Sequence, residues 1–272
     1  MTNKEILDKM HPLHLKLADE FLRICCIHNL KTFMIAGTLL GAIRHKGFIP
    51  WDDDMDFGMP RNDFEQFLIV AQTEINSSIF ELKYDRNEKY YAGNYAKLML
   101  KGTTLIEDTS KGVDIHQGIF IDIFPVDTIS DDKIQAFIQL KSFWVYRNLL
   151  WVKCGYGDDT RKKQLSYKAT KVMASLFSIN RLKALKHKAI SKYAGMETKR
   201  VVVSDGTYGL SKETLKSEWV SEITYYPFED RSYPGIRDYD SYLSYFYGDY
   251  MKLPPENKRN HHGRLMVEFG PY

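Results

Sequence analysis

The stretch AGTLLGAIRHKGFIPWDDDMDFGM, residues 36–59, sets Asp52, Asp53, Asp54 and Asp56 within five positions, directly after a Gly-Thr pair and a basic-aromatic run. Like charges this close repel, so something positive must hold them. MDFGMP (55–60) reads as a strand that stops at Pro60. Residues i and i+2 of a strand share a face, so Asp54 and Asp56 point together while Met55 and Phe57 point into the core. Two carboxylates at that spacing suit a hard divalent cation such as Mg²⁺. Upstream, TFMIAG (32–37) reads as a short buried strand ending at Gly37, and TLLGAIRHKG (38–47) as a short helix closed near Gly47. Gly37 allows close backbone approach to a phosphate, the helix N-terminus aims N–H groups at the anion, and Thr38 adds a hydroxyl. Gly-Thr alone says little. The order strand, Gly-Thr, helix, strand with Asp-x-Asp says much more.

Two blander readings compete. One is a solvated acidic loop. The other is a calcium loop, since Asp52-x-Asp54-x-Asp56 mimics its first ligands. That loop needs Gly at its sixth position and usually Glu at its twelfth; Phe57 and Asp63 stand there. Farther on, GIFIDIFPVD (118–127) alternates, with Ile119, Ile121 and Ile123 on one face and Phe120, Asp122 and Phe124 on the other. An unpaired carboxylate among such neighbours is costly. If this strand lies beside that of Asp56, three carboxylates converge into a site for metal-assisted phosphoryl transfer.

Together these residues resemble the nucleotidyltransferase superfamily, and within it GTLLGAIRHKGFIPWDDDMDFGMPR (37–61) closely resembles the LicD family of phosphocholine transferases, relatives of the fukutin-type transferases. The resemblance extends to YAKLML (95–100), GIFIDIFPVD and YLSYFYGDYMKLPPENKRNHH (242–262), and leaves 130–200 unmarked. It implies an α+β fold, a mixed sheet flanked by helices, with an added helical region. It implies that Asp54 and Asp56 hold Mg²⁺, or Mn²⁺ in its place, and that Asp122 completes the triad as metal ligand, general base or both. Asp52 and Asp53 are expected to orient substrate or simply to be solvated. Arg44, His45 and Lys46 are expected to contact phosphate or to pair with the acidic cluster, and Lys97 to reach a phosphate. His261 and His262 are expected to close over the nucleotide or to lie in a solvated tail. The implied reaction moves phosphocholine from CDP-choline to a sugar hydroxyl of a cell-surface glycan or its lipid-linked precursor, of teichoic acid or lipopolysaccharide type, and releases CMP. Another CDP-linked donor carrying a polyol, or a nucleotidyl transfer, is the alternative, and a non-catalytic nucleotide-binding module a remote one. A choline cation is recognised by aromatic faces and carboxylates; Trp51, Tyr225, Tyr226, Tyr233, Tyr245 and Tyr247 are the candidates.

The rest of the chain fits a globular protein of 272 residues, with a core segment over 1–130, a basic helical region over 131–200 and an aromatic-rich segment over 201–272 that packs back on the core. Residues 4–30 have helical periodicity, interrupted by Pro12, and 62–75 form a second helix with Asn62 as its N-cap. FELKYD, YYAGNYAKLML and TTLIE read as strands, 131–193 as helices, and the chain beyond Lys199 as aromatic loops. Three cysteines without a CxxC spacing exclude a disulfide framework and a zinc ribbon and point to a cytoplasmic protein. No signal peptide is expected, and the apolar runs fall short of the ~20 residues that span a bilayer. Net charge is only +3, yet Arg161–Arg200 carries twelve Lys and Arg against the single acid Glu197. That asymmetry points to an anionic partner, either an anionic acceptor or the inner face of a membrane in peripheral contact, with a solvated lysine-rich helix pair as the blander reading. No nucleic-acid module accompanies it, so no nucleic acid is expected.

Overall fold

The structure, a computed structural model, describes residues 1–256, 259 and 263–272. Helix α1 (Asn3–Ile27) opens on a capping box between Thr2 and Glu5 and runs unbroken through Pro12. Its Leu17, Phe21 and Ile24 are fully buried, the stripe that the periodicity predicts. Strand β1 (Phe33–Met34) is only two residues long, because α2 (Ala36–Arg44) begins at once. Gly37 and Thr38 therefore lie in the first turn of the helix, not at the strand's end. Strand β2 (Asp56–Pro60) leads into α3 (Arg61–Glu74), whose N-cap is Pro60; the expected cap, Asn62, lies inside the helix.

Strands β3 (Phe80–Lys83), β4 (Ala96–Leu100), β5 (Thr104–Glu107) and β6 (Phe120–Ile129) follow. Four helices come next: α4 (Lys133–Lys153), α5 (Asp159–Lys163), α6 (Leu165–Ser175) and α7 (Ile179–Ile190). The last third holds β7 (Arg200–Val203), α8 (Gly209–Lys212), β8 (Thr214–Lys216), β9 (Ile223–Phe228), β10 (Arg231–Ile236), α9 (Tyr239–Tyr247) and β11 (Arg264–Glu268). The segment read as aromatic loops thus supplies strands. Pro227 and Pro234 and the turn between them hid a hairpin whose register runs from Ile223↔Ile236 to Phe228↔Arg231.

The main sheet runs β3-β4-β6-β2-β1-β10-β9, and β7 continues the β4 edge of β6 and pairs β8. It is mixed: β2 is parallel to β6 and β1 to β10, while the remaining pairs are antiparallel. Helices flank it, as expected. Strands β5 and β11 make a separate two-stranded ribbon. Where α3 leaves the sheet, Arg61 grips Asp127 of β6 through two hydrogen bonds of 2.7 Å, with both side chains buried. Removing one partner of such a pair leaves a buried charge, at about 3–5 kcal/mol. This pins β6, and with it Asp122, to the start of α3.

Among the described residues no helix is long and apolar enough to cross a membrane. The basic stretch 161–200 is less uniformly exposed than its sequence suggests. Lys183 and Lys186 of α7 are buried and donate to the carbonyls of Asp85, Glu88, Ala92 and Gly93. Lys186 also pairs with Asp85 at 3.0 Å. These two lysines fasten α7 to the loop before β4.

Candidate active site

The parallel pairing of β2 with β6 places Asp56 directly beside Asp122 in register, the neighbour relation on which the three-carboxylate reading depends. Asp54 lies two residues before β2's Asp56, and Met55 and Phe57 between and after them are fully buried. Thr38 sets this strand's position: its buried hydroxyl accepts a 2.8 Å hydrogen bond from the Asp56 backbone N–H. The start of α2 is held from the other side, where the Ala36 N–H donates to the Tyr242 hydroxyl. Gly37 serves close approach, but of a carboxylate. A Cβ there would lie 2.5 Å from Asp52 Oδ2, so Asp52 rests against the first turn of α2.

Asp54, Asp56, Asp122 and Asp53 border one cavity of about 190 Å³ together with Lys97, Glu107, Asp205 and Arg264. Asp54 and Asp56 also border a larger cavity of about 380 Å³, with Gly37, Arg44, Trp51, Asp52, Tyr208 and Tyr247. The two spaces meet at these carboxylates and Thr207. Asp122 is nearly buried, with Phe120 and Phe124 two residues to either side of it on β6. Opposite it on β4, Lys97 brings Nζ to 3.0 Å from Asp122 Oδ1 and donates to Oδ2 at 3.2 Å. Burial drives the Asp122 carboxyl up to about 7, against the pull of the Lys97 ammonium.

Lys97 therefore stands in the site as Asp122's counter-ion. Its Nζ also lies 3.0 Å from the Phe120 ring centroid. Among the described residues no three His, Cys, Asp or Glu side chains form a ready metal-ligand cluster. The convergence expected of Asp54, Asp56 and Asp122 is met only as shared lining of one cavity, because Lys97 engages the third carboxylate. Asp54 and Asp56, oxygen donors facing both cavities, fit a hard divalent ion.

The other expected residues divide. Asp53 is buried and pairs with Arg264 at 2.7 Å, so it anchors β11 to the loop before β2 and is not solvated. Arg44 lines the larger cavity and donates to the Tyr250 carbonyl and to His45. His45 sits edge-on to Trp51, whose ring also faces the Arg259 guanidinium at 4.5 Å. Neither Arg44 nor His45 has a carboxylate partner among these contacts. Lys46 is exposed and lines neither cavity. His261 and His262 lie outside the described residues. Of the aromatic candidates, Trp51 and Tyr247 border the larger cavity. Tyr233 is in the core and donates to Asp19, Tyr226 donates to the Ile236 carbonyl, Tyr225 is exposed on β9, and Tyr245 packs on Trp219.

Sequence reading missed the turn after β7, where Asp205, Thr207 and Tyr208 line the cavities. Its support is Glu213, which accepts from the Tyr208 N–H and lies so close to Gly206 that a Cβ there would sit 2.1 Å from the carboxyl carbon. Burial pushes the Glu213 carboxyl up from 4.5 to about 7. A folded pKa above the unfolded one means that the native state binds the extra proton, so this group's contribution to stability falls as pH rises from about 4.5 to about 7. Glu213→Gln keeps an acceptor for Tyr208 without the charge. It should raise the thermal midpoint at pH 8 and leave it nearly unchanged at pH 4; an equal shift at both pH values in scanning calorimetry would reject the assignment.

Residues 29–148 match the family described as LicD/FKTN/FKRP, nucleotidyltransferase domain. Over 249 residues the chain is 27% identical to the lipopolysaccharide cholinephosphotransferase LicD of Haemophilus influenzae, covering 91% of this chain and 92% of that one. A shorter match, 50% identical over 44 residues, joins it to an uncharacterised protein of Rickettsia typhi, covering 15% of this chain and 14% of that one.

Proposed function

We propose that this chain, which carries a LicD-type nucleotidyltransferase domain over residues 29–148, is a cholinephosphotransferase that moves phosphocholine from CDP-choline to a hydroxyl of a cell-surface glycan or its lipid-linked precursor. The observation that carries the reading is the Asp56–Asp122 pairing, with Asp54 beside it, at the junction of two cavities. In this reading the larger cavity takes the CMP portion, with Arg44 at its wall and Trp51 as a flat surface for the base. Asp54 and Asp56 hold Mg²⁺. When bound, the ion neutralises charge on the diphosphate and the departing CMP oxygen. Lys97 supplies a second cation beside the phosphorus that is transferred. The acceptor oxygen forms a bond to that phosphorus as the bond to the CMP oxygen breaks, and Asp122 takes the hydroxyl proton. Burial raises the basicity of Asp122, and the Lys97 ammonium favours its ionised form against that rise.

The test is incubation of the purified protein with Mg²⁺ and a panel of CDP-linked donors, with and without glycan acceptor, scoring CMP release. Preference for CDP-choline supports the proposal. A preference for a CDP-polyol would shift it to a related transferase, and no CMP from any donor would overturn it.

A lipid-linked acceptor would bring the enzyme to a membrane surface. Helix α6 and its C-cap Leu176 are suited to that contact: Leu165, Val172, Met173 and Leu176 are largely exposed beside the exposed lysines Lys168 and Lys171. Each basic residue near an anionic surface contributes about 1 kcal/mol. The protein should therefore sediment with vesicles containing anionic lipid, less so as salt rises, and not with neutral vesicles. Equal binding to both, or to neither, would reject the contact.

A further inference from the structure

Beyond the carboxylate cavity lies a third space of about 150 Å³, at the junction of β4, β5, β6 and the C-terminal end of α4. It shares Tyr95, Lys97, Glu107, Phe120 and Asp205 with the carboxylate cavity, so the two are continuous. Its remaining walls include Tyr91, Trp151 and Tyr156. A space of about this size accommodates a benzene ring when its walls are apolar, and a trimethylammonium group has similar bulk. Tyr95 stacks on Phe124 at 4.7 Å and meets Tyr91 edge-on at 5.9 Å, and Trp151 stacks on Tyr156 at 5.5 Å. These contacts fix the rings as rigid walls.

Two features point to a cationic occupant, and a third marks a polar group that the protein itself leaves unpartnered. The first is electrostatic. The cations that line the space already have counter-ions: Lys97 is met by Asp122, and Arg147 by Asp205 at 2.8 Å. Glu107 lines the space and carries no ion pair among the described residues, so a carboxylate is left over. The second is the aromatic lining, whose ring faces attract cations. Lys97 over Phe120, and Arg147 and Arg161 over Trp151, show that these rings already serve such contacts. The third is Tyr91. It is nearly buried, and its hydroxyl has no hydrogen-bond partner. A buried orphan of this kind calls for a ligand. The polarised methyl hydrogens of a quaternary ammonium would meet the phenol oxygen through weak C–H···O contacts.

We infer that this space, walled by Tyr91, Tyr95, Phe120 and Tyr156 with Glu107 as counter-charge, is the subsite for the quaternary ammonium head group. The inference rests on the phosphocholine reading and gives its donor selectivity a location. Thr109, Ser110, His116 and Gln117 also line the space, but Ser110 and Gln117 are hydrogen-bonded to each other and His116 meets Glu81, so a polyol would find much of the polar lining already engaged. The location also fits the order of the three cavities. Nucleotide space, carboxylates with Lys97, and aromatic box follow one another as nucleoside, phosphates and head group do along the donor.

The experiment measures binding of choline alone, by ligand-observed NMR, in the absence of Mg²⁺, donor and acceptor. The comparison ligand is 3,3-dimethylbutan-1-ol, its neutral isostere. Choline should bind about tenfold more tightly than the isostere, and Tyr95→Leu and Glu107→Gln should each weaken it by about tenfold. Glu107→Gln keeps the side chain's shape, so it remains informative if Tyr95→Leu folds poorly. The assignment is overturned if choline does not bind the parent, binds no better than the isostere, or binds Glu107→Gln unchanged. Because no transfer is measured, this result separates from the CMP assay. Selective choline binding without CMP release would leave the subsite and remove the transferase reading. CMP release from CDP-choline with choline binding indifferent to both substitutions would do the reverse.

Discussion

Asp54→Asn and Asp56→Asn should each lower CMP release by about three orders of magnitude or more while the protein stays folded. Neutral amides are poor ligands for a hard divalent ion, and charge that develops on the departing CMP oxygen would then go uncompensated. The fold should tolerate both changes, since each side chain is only partly buried at the cavity walls. The strand's own anchor, the Asp56 N–H on Thr38, belongs to the backbone and survives the substitution. Calorimetric titration should show that Mg²⁺ no longer strengthens CDP-choline binding. Asp53→Asn supplies the contrast. It breaks the buried pair with Arg264, so it should lower the melting temperature clearly and activity much less. Near-normal CMP release from folded Asp54→Asn or Asp56→Asn would remove both residues from the metal role.

The carboxylates were legible because two rules act locally. Period-two alternation put Asp54 and Asp56 on one side of buried Met55 and Phe57, and an aspartate between Phe120 and Phe124 declared itself by its surroundings. What the sequence could not contain was register. Lys97 pairs with Asp122 only because β4 runs antiparallel to β6 with those two residues opposed, and nothing in YAKLML specifies that partner. Asp53 looked like its neighbours and proved to be an anchor because Arg264, 211 residues later, returns to it. The aromatic box was out of reach for the same reason. Tyr91 and Tyr95 precede β4, and Trp151 and Tyr156 straddle the end of α4. The visible signal was the density of aromatics in YYAGNY and WVKCGYG, which strand and helix periodicity absorbed. The tyrosine-rich C-terminal segment drew attention by composition, yet most of its rings are spent on packing β9, β10 and α9.

Asp122→Asn separates the two roles left open for that carboxylate. If Asp122 accepts the acceptor's proton, its loss should slow transfer by about two to four orders of magnitude, the range for a general base. CDP-choline should still bind in the presence of Mg²⁺, because Asp54 and Asp56 remain. Stability should change little, since two effects oppose. Burial lifts the carboxyl from 3.8 to about 7, so the native state loses stability as pH rises through that interval, and a neutral amide removes the loss. Against this, Lys97 forfeits its counter-ion and keeps only the Phe120 ring. Lys97→Met in the same background should relieve that cation and restore folding if Asp122→Asn alone is unstable, without restoring transfer. Loss of donor binding in the calorimetric titration of a folded Asp122→Asn protein would instead make Asp122 chiefly a metal ligand. The proton acceptor would then be sought first at Asp52, since Asp53 is committed to Arg264, with Glu107 of the same cavity next, and Asp52→Asn would become the first variant to test for a large effect on rate.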